Sequence, residues 1–254
     1  MLTVERQEMI LKLVQEREVV KIYELIEATR SSESTIRRDL TELEQGKKLK
    51  RIHGGATVLQ TMRDEPTMAQ KSFKNSHEKK QIAKRAAEWV EDGDCIFLDA
   101  GSTTYEMIPY LKGKTIEVVT NGVMNIQALL EADIHTHGLG GHVKKGTYAF
   151  VGRGALEAIS SYRFNKAFIG TNGLTLQDGF TTPDPEEAYI KAKAIAFAQQ
   201  AYVLADHTKF GDITFSTFAS IQDVHIVTSS YVEEERKKLY QELKKSTAVE
   251  VVKL

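Results

Sequence analysis

The chain has 254 residues, with 34 Lys and Arg against 35 Asp and Glu and a formal net charge of −1 at pH 7. That length holds a small domain plus a medium one, each with a real core, and the balanced charge excludes a protein that coats nucleic acid over its whole surface while leaving room for one local basic patch. Cys95 is the one cysteine and the start, MLTVERQEMILKLVQERE, is charged, so a disulfide framework and a signal peptide are not expected; with no apolar run long enough to span a bilayer, a soluble cytoplasmic protein with no membrane partner is.

Met9, Ile10, Leu13 and Val14 recur at helical spacing, with Thr3 as a possible N-cap. VVKI (19–22) reads as a short strand, and Tyr23, Leu25, Ile26 and Ala28 as a second helix ending near Thr29-Arg30. Ser31 or Ser32 caps a third helix whose Ile36, Leu40 and Leu43 share one face. Its opposite face carries Ser34, Arg38 and Thr41, flanked by Thr35 and Arg37, and Gly46 ends it. KKLKRI and ATVL then flank His53-Gly54-Gly55 as a two-stranded ribbon with a glycine turn. Three helices and a basic hairpin, in that order, predict a winged helix-turn-helix over residues 1–57. Short hydroxyls around a central arginine suit base edges in a major groove. Arg30, Arg37, Lys47, Lys48, Lys50 and Arg51 are placed for phosphates, which position without specifying. The candidate contacts to double-stranded DNA are Ser32, Ser34, Thr35, Arg37, Arg38, Thr41, Lys50, Arg51, His53 and Gly54. The competing reading is an ordinary solvated face, because Glu33, Asp39, Glu42 and Glu44 offset the bases.

Residues 58–76 lack a steady period, contain Pro66 and read as a linker. From 77 to 254, helical and strand-like segments alternate. His77–Val90 is a helix with Ile82, Ala83, Ala86, Ala87 and Val90 spaced for burial; CIFLDA, TIEVVT, IHTHGLG, FNKAFIG, AYVLAD and VHIVTS are strands, and AVEVVKL a possible last one. YEMIPYL (carrying Pro109), VMNIQALLEA, ALEAISSY, PEEAYIKAKAIAFAQQ and EEERKKLYQELKK are helices. This predicts an α/β fold with an open, mainly parallel sheet. Small, hydroxylated and glycine-rich residues follow the strands: Asp99-Ala-Gly-Ser-Thr-Thr104, Thr120-Asn-Gly122, Gly138-Leu-Gly-Gly-His142, Gly170-Thr-Asn-Gly173 and Asp206-His-Thr-Lys-Phe-Gly211. Ligands of open α/β sheets bind beyond the carboxyl ends of the strands, and Gly-Ser-Thr-Thr before a helix suits a phosphate. Each loop alone is equally ordinary cap or turn chemistry, and Lys209 an ordinary loop lysine; convergence on one edge favours a site.

ERQEMILKLV, SESTIRRDLTELE and LKRIHGGA resemble the N-terminal signature of the DeoR family of bacterial sugar-operon regulators. DAGSTT, VVTNGV, LGG, FIGTNG, FTTPDPEEA and LADHTKFG are similar to that family's sensor domain, from about His77 to about Ser230. FTTPDPEEA with TNGVMNI is closest in appearance to the family's fructose-operon branch. Two positions depart from the pattern: Ser31 stands where the family has an apolar residue, and Lys47 where it has its turn glycine. The resemblance implies a sensor fold related to ribose-5-phosphate isomerase, a phosphorylated sugar as effector (fructose 1-phosphate for the fructose branch), and a homo-oligomer, dimer or tetramer, on operator DNA. Residue by residue, it implies a phosphate loop at Gly101, Ser102, Thr103 and Thr104, with Asp99 opening that loop. It likewise implies that Asn121, Gly141, Asn172 and Glu187 face the sugar and that Lys209 matches the lysine of the Asp-x-x-Lys loop.

The kinship to an isomerase requires weighing catalysis. Aldose–ketose isomerisation needs a positioned carboxylate base, and the related isomerases carry an Asp-Gly-Ala-Asp-Glu loop where this chain has Gly170-Thr-Asn-Gly173. Asp184, Glu186 and Glu187 near a helix start are as well explained by the helix dipole. No enzyme and no cofactor are therefore expected, with an isomerase-like enzyme bearing a DNA-binding appendage as the alternative and an activator of the same architecture as a second. His135, His137 and His142 lie close together, but histidines in a half-buried strand without a paired acid are more often structural, so no metal is expected. The expected function is a DNA-binding repressor of a sugar operon, relieved by a sugar phosphate.

Overall fold

Helical spacing of apolar residues organises the N-terminal part. A computed structural model describes residues 2–17, 19–52, 54–58 and 61–254, and the chain divides into two units, Met1–Thr61 and Met62–Leu254. In the first unit, α1 (Thr3–Arg17), α2 (Ile22–Thr29) and α3 (Glu33–Gln45) bring Ile10, Val14, Leu25, Ile36, Leu40 and Leu43 into one core, which Val20, Leu49 and Ala56 complete. Thr3 is the first residue of α1, not its cap. Ser32 does cap α3: its backbone is extended and its Oγ accepts the Thr35 N–H at 3.3 Å. Ser31 turns its hydroxyl onto the Thr29 carbonyl at 3.2 Å, so a polar residue sits there without an orphaned donor.

The expected two-stranded ribbon is one strand larger. β1 (Val19–Lys21), β2 (Lys50–Ile52) and β3 (Gly55–Thr57) form an antiparallel sheet ordered β1-β3-β2. A Cβ on Gly55 would stand 2.1 Å from the Val20 carbonyl oxygen, so the approach of β1 to β3 admits only glycine. His53, in the expected turn, lies outside the described residues.

Lys47 resolves the path from α3 into the wing. Its backbone is left-handed, φ 51°. The Lys48 N–H donates to Leu43 C=O and the Lys47 N–H to Glu44 C=O, both at 2.9 Å. That pair of bonds is a Schellman cap, which normally places glycine where Lys47 stands. Lys47→Gly is therefore expected to raise the stability of the N-terminal unit by about 0.5–1 kcal/mol, the relief of left-handed strain less glycine's extra chain entropy. Urea melts followed by far-UV circular dichroism check this; an unchanged or lowered midpoint would contradict it.

The second unit begins earlier than the expected sensor segment, because much of the expected linker is ordered within it. Thr67 and Gln70 cap one another reciprocally at the start of α4 (Met68–Phe73). Helix α5 (Ser76–Ala87) follows, and then the alternation. β4 (Cys95–Leu98), β5 (Glu117–Thr120), β6 (His135–Gly138), β9 (Phe164–Gly170), β12 (Ala198–Leu204), β14 (His225–Ser229) and β15 (Val249–Val252) form one sheet, ordered β15-β14-β12-β9-β4-β5-β6. Every pairing in it is parallel. Side chains alternate between two buried faces: Phe97, Val119, Ala167, Ile169 and Val203 on one, Ile96, Leu98, Val118, Phe168 and Leu204 on the other. Helices α5, α7 (Ile108–Leu111) and α8 (Val123–Glu131) cover the second face; α9 (Gly152–Ser160), α10 (Pro185–Ala196) and α12 (Lys237–Leu243) cover the first. The strand first in sequence, β4, sits inside the sheet with β5 on one side and β9 on the other, so strand order reverses between β4 and β9. Such a reversal opens a crevice at the carboxyl ends, where ligands of open α/β sheets bind.

Three local expectations change. The helix expected over YEMIPYL is two short ones, α6 (Ser102–Tyr105) and α7, because Pro109 has no N–H to give and fits only in a helix's first turn. Residues 198–200 leave the expected long helix for β12, where Ala198 and Gln200 register with Phe164 and Lys166 of β9; strand pairing outweighs helix propensity there. The closing helix splits into α11 (Tyr231–Glu235) and α12. Two small antiparallel sheets were not expected: β7 (His142–Lys144) with β8 (Ala149–Val151), and β10 (Gly173–Thr175) with β11 (Gly179–Thr182) and β13 (Ser216–Ala219). Among the described residues, no helix is long and apolar enough to cross a membrane.

Candidate nucleic-acid interface and effector site

The exposed face of α3 is built by what its other face buries. Ile36, Asp39, Leu40 and Leu43 point inward. Asp39 is fully buried and receives Arg6 through two bonds, Nε to Oδ2 at 2.5 Å and Nη2 to Oδ1 at 3.2 Å. Asp39 therefore does not offset the bases on the outer face. Arg38 is exposed and has no side-chain partner among the described residues. Arg37 is held by Glu33 at 2.6 Å. Thr41 donates to the Arg37 carbonyl at 2.8 Å and accepts from Arg51 Nη1 at 2.7 Å, so its hydroxyl ties the wing to the helix. Arg51 is further fixed by its N–H on Glu44 Oε1 at 2.8 Å. Ser34 and Thr35 cluster on the Ser32 hydroxyl at 3.0 and 2.9 Å. Lys50 and Gly54 are exposed in the wing. A free arginine beside short hydroxyls, with Lys50 and Arg51 on the adjoining strand, is a face that can read a base edge and hold phosphates.

At the strand reversal, the segments after β4 and β9 are locked together. Asp99 is buried; its Oδ2 accepts the Gly170 N–H at 2.9 Å and pairs with Lys191 Nζ. Lys191, itself buried, also donates to the Gly170 carbonyl at 3.0 Å. Thr104 Oγ1 donates to the carbonyls of Asp99 and Gly101 at 2.7 and 2.9 Å, Asn121 Oδ1 accepts the Ala100 N–H at 2.8 Å, and Asn125 Nδ2 donates to the Asp99 carbonyl at 3.0 Å. The loop backbone is thus held by hydrogen bonds with the side chains of Thr104, Asn121 and Asn125. Among the described residues, the Ser102 and Thr103 hydroxyls have no protein partner, and the first N–H groups of α6 have no acceptor within their own helix.

Lysines gather beside that loop. Helices α4 and α5 pack against α6 and carry Lys71 and Lys79, with Lys74 just past the end of α4. Lys79 is buried and its Nζ bonds the Lys71 carbonyl. Burial first, and then the nearby Lys209, Lys71 and Lys74, push its pKa down to about 8, although Asp206 works the other way. Lys209 is lowered in the same manner, chiefly by burial, with Asp206 opposing and Lys74 and Lys71 adding. Burial pushes the Asp206 carboxyl up, but Lys209, the Thr208 hydrogen bonds and Lys79 together hold it below its ordinary value. Lys71 is already paired with Glu65 at 2.7 Å. Lys79 and Lys209 act on Asp206, with Lys74 near both, while the Glu78 carboxylate lies within 4.8 Å of Asp206, so lysines exceed carboxylates by one in this corner.

The remaining expected contacts divide. Asn172 Oδ1 accepts from Thr182 Oγ1 at 3.2 Å, next to Gly170. Glu187 is buried and accepts from Thr147 Oγ1 at 2.7 Å and Lys144 Nζ at 3.2 Å. Lys144 also reaches Glu65 at 2.5 Å and Asp184 at 2.7 Å; burial opposes its charge, but Glu187, Asp184 and Glu65 raise its pKa regardless. Gly141 has φ 122°, and a Cβ there would lie 2.7 Å from the Val151 carbonyl, so its role is to let β7 leave β6 beside β8. Asp99 and Glu187 thus spend their carboxylates on protein partners. Lys79 and Lys191 were missed. Both sit on the buried stripes of their helices, Lys79 three and four residues before Ile82 and Ala83, Lys191 three before Ala194; a lysine on an apolar stripe was the available signal.

Residues 6–62 match the DeoR-like helix-turn-helix domain and residues 74–230 the DeoR C-terminal sensor domain. The chain is 53% identical over 254 residues, 100% of both chains, to the HTH-type transcriptional regulator FruR of Bacillus subtilis (strain 168). It is 33% identical over 236 residues, 91% of this chain and 94% of the other, to the lactose phosphotransferase system repressor of Staphylococcus aureus (strain NCTC 8325 / PS 47). Ribose 5-phosphate isomerase A of Methanocaldococcus jannaschii aligns with a TM-score of 0.41 and 19% identity, over 54% of this chain and 55% of that one. The two sequence relatives are a named regulator and a named repressor, not enzymes.

Proposed function

The chain belongs to the DeoR family of transcriptional regulators, and from that premise we propose that it is a cytoplasmic repressor of a fructose-utilisation operon, released from its operator by fructose 1-phosphate. What supports this reading is the packing of α4 and α5, which carry Lys71 and Lys79, against α6 beside the sheet's reversal point, with Lys209 close to Lys79. The phosphate takes the first N–H groups of α6, the Ser102 and Thr103 hydroxyls and the ammonium groups of Lys79 and Lys209. Asn121, Asn172 and the Gly141 turn shape the sugar subsite, and Lys191 and Asp99 hold the floor. A homo-oligomer sets two winged helices on two half-sites. Effector binding shifts the populations of protomer arrangements by as much as its affinity for them differs, and operator affinity falls by that factor. The choice of fructose rests on the likeness to the fructose branch. A mobility-shift titration with the operator tests it. Fructose 1-phosphate should release the DNA, while fructose 6-phosphate, fructose 1,6-bisphosphate, tagatose 6-phosphate, ribose 5-phosphate and free fructose should not. Release by another phosphate would move the specificity, and release by none would remove the sensor role.

Lys79 also gives effector binding a pH dependence. A bound phosphate favours the ammonium, whose pKa in the free chain is about 8. At pH 7 that charge is largely present. Above pH 8 binding must take up a proton, and effector affinity is expected to fall by up to about tenfold per pH unit. Stability of the unliganded chain moves oppositely: between 8 and the ordinary 10.5 the unfolded lysine binds a proton the folded one lacks, so stability rises with pH. Calorimetry at pH 8.5 in two buffers of different ionisation enthalpy reads the proton uptake directly; no difference between buffers would remove Lys79 from the site.

A further inference from the structure

At the opposite end of the sheet from the effector loops, the first residues of β5 and β6 bring three metal-ligating side chains together. Glu117 and His135 are register partners on neighbouring parallel strands, and His137 follows on the same face of β6. His135 Nδ1 lies 3.1 Å from the Glu117 carboxylate, and His137 Nε2 lies 3.0 Å from its Oε2. One ligand atom of each falls within 4.8 Å of the others. From the sequence, two histidines without a paired acid argued against a metal; the neighbouring strand supplies the acid. We propose that Glu117, His135 and His137 form a site for a zinc-class divalent transition ion, apart from the effector site. Two imidazoles and a carboxylate are a recurrent zinc donor set, and three protein ligands leave one tetrahedral position toward solvent. Small rotations about the side chains bring the three donors around one ion, since the strands already fix their Cα positions. A bound ion clips β6, the edge strand of the sheet, to β5.

The other cluster of this kind among the described residues, Glu78, Asp206 and His207, has its donors in use. His207 Nδ1 meets Glu78 Oε2 at 2.8 Å, Ser229 donates to Glu78 Oε1 at 2.6 Å, and Asp206 Oδ1 accepts from Asn75 and from the Thr208 N–H.

The test is zinc titration of the tag-free, EDTA-dialysed full chain by calorimetry, with magnesium as the control and histidine NMR on the same samples. Wild type is expected to bind one equivalent of zinc and no magnesium, with His135 and His137 ring resonances perturbed. His135→Ala, His137→Ala and Glu117→Gln should each weaken binding by roughly tenfold or more, and the H135A/H137A double variant should abolish it. All three side chains are at least 44% exposed, so the variants keep the wild-type far-UV spectrum. Absence of saturable binding, binding that survives the double variant, or zinc-induced shifts at His207 in place of His135 and His137 would overturn the proposal.

Discussion

Lys191→Met is expected to cost the C-terminal unit about 3–5 kcal/mol and to abolish effector binding, because it leaves a buried carboxylate without its counter-charge. Asp99 is 1% exposed and Lys191 5%, so neither is compensated by water. The pair is also a structural joint. Through Gly170, whose N–H meets Asp99 and whose carbonyl meets Lys191, it ties the ends of β4 and β9 together at the crevice. Losing the ammonium frees the carboxylate to seek water and drags the Ser102–Thr104 loop with it. Urea denaturation of the full chain measures the first effect and effector titration the second. A double variant, Asp99→Asn with Lys191→Met, removes the unpaired charge and should recover much of the stability while binding stays impaired. If the single variant melted within about 0.5 kcal/mol of wild type, the joint would not be built as described.

Arg38→Ala is expected to lower specific operator affinity by roughly 10–100-fold, the loss of one good base-edge contact, with no change in melting. Stability should be untouched because Arg38 is exposed and holds nothing among the described residues. Arg37 is paired with Glu33, and Arg37→Ala should cost less. Lys50→Ala should weaken binding about equally on operator and unrelated DNA and lower the salt slope by about one. Mobility shifts on both DNAs at two salt concentrations separate these behaviours. An Arg38→Ala chain with undiminished operator preference would place the reading residue elsewhere. Changes at Asp39 or Arg6 act differently: they strike the core under α3 and should show first as a loss of folding.

Most of the N-terminal unit was legible because its signals are local. Ile36, Leu40 and Leu43 carry the helical period, Ser32 the cap and Gly54 the turn. Lys47 was legible only as a misplaced glycine; that it adopts the left-handed backbone itself emerged with the two cap bonds. In the second unit, the strands of the parallel sheet announced themselves as β-branched and apolar runs. The β7–β8 and β10–β11–β13 sheets did not, since they sit in segments rich in glycine and threonine that read as loops between the elements of the main sheet.

The sequence by itself determined the two-part order, the winged helix with its outward Arg38, the alternating α/β pattern and the small, hydroxylated loop at Gly101–Thr104. Each is written in spacing over a few residues, where backbone geometry leaves little choice. Tertiary structure alone decided the partners: Arg6 for Asp39 across 33 residues, Lys191 for Asp99 across 92, and Glu117 for His135 across 18. Those separations depend on how strands are ordered in the sheet and helices packed on it. A charged residue is driven out of water only when that packing places an opposite charge against it. Packing likewise explains why Lys79 reads as an ordinary helix lysine in the sequence yet is buried, beside Lys209 and Asp206, once α5 lies against α6.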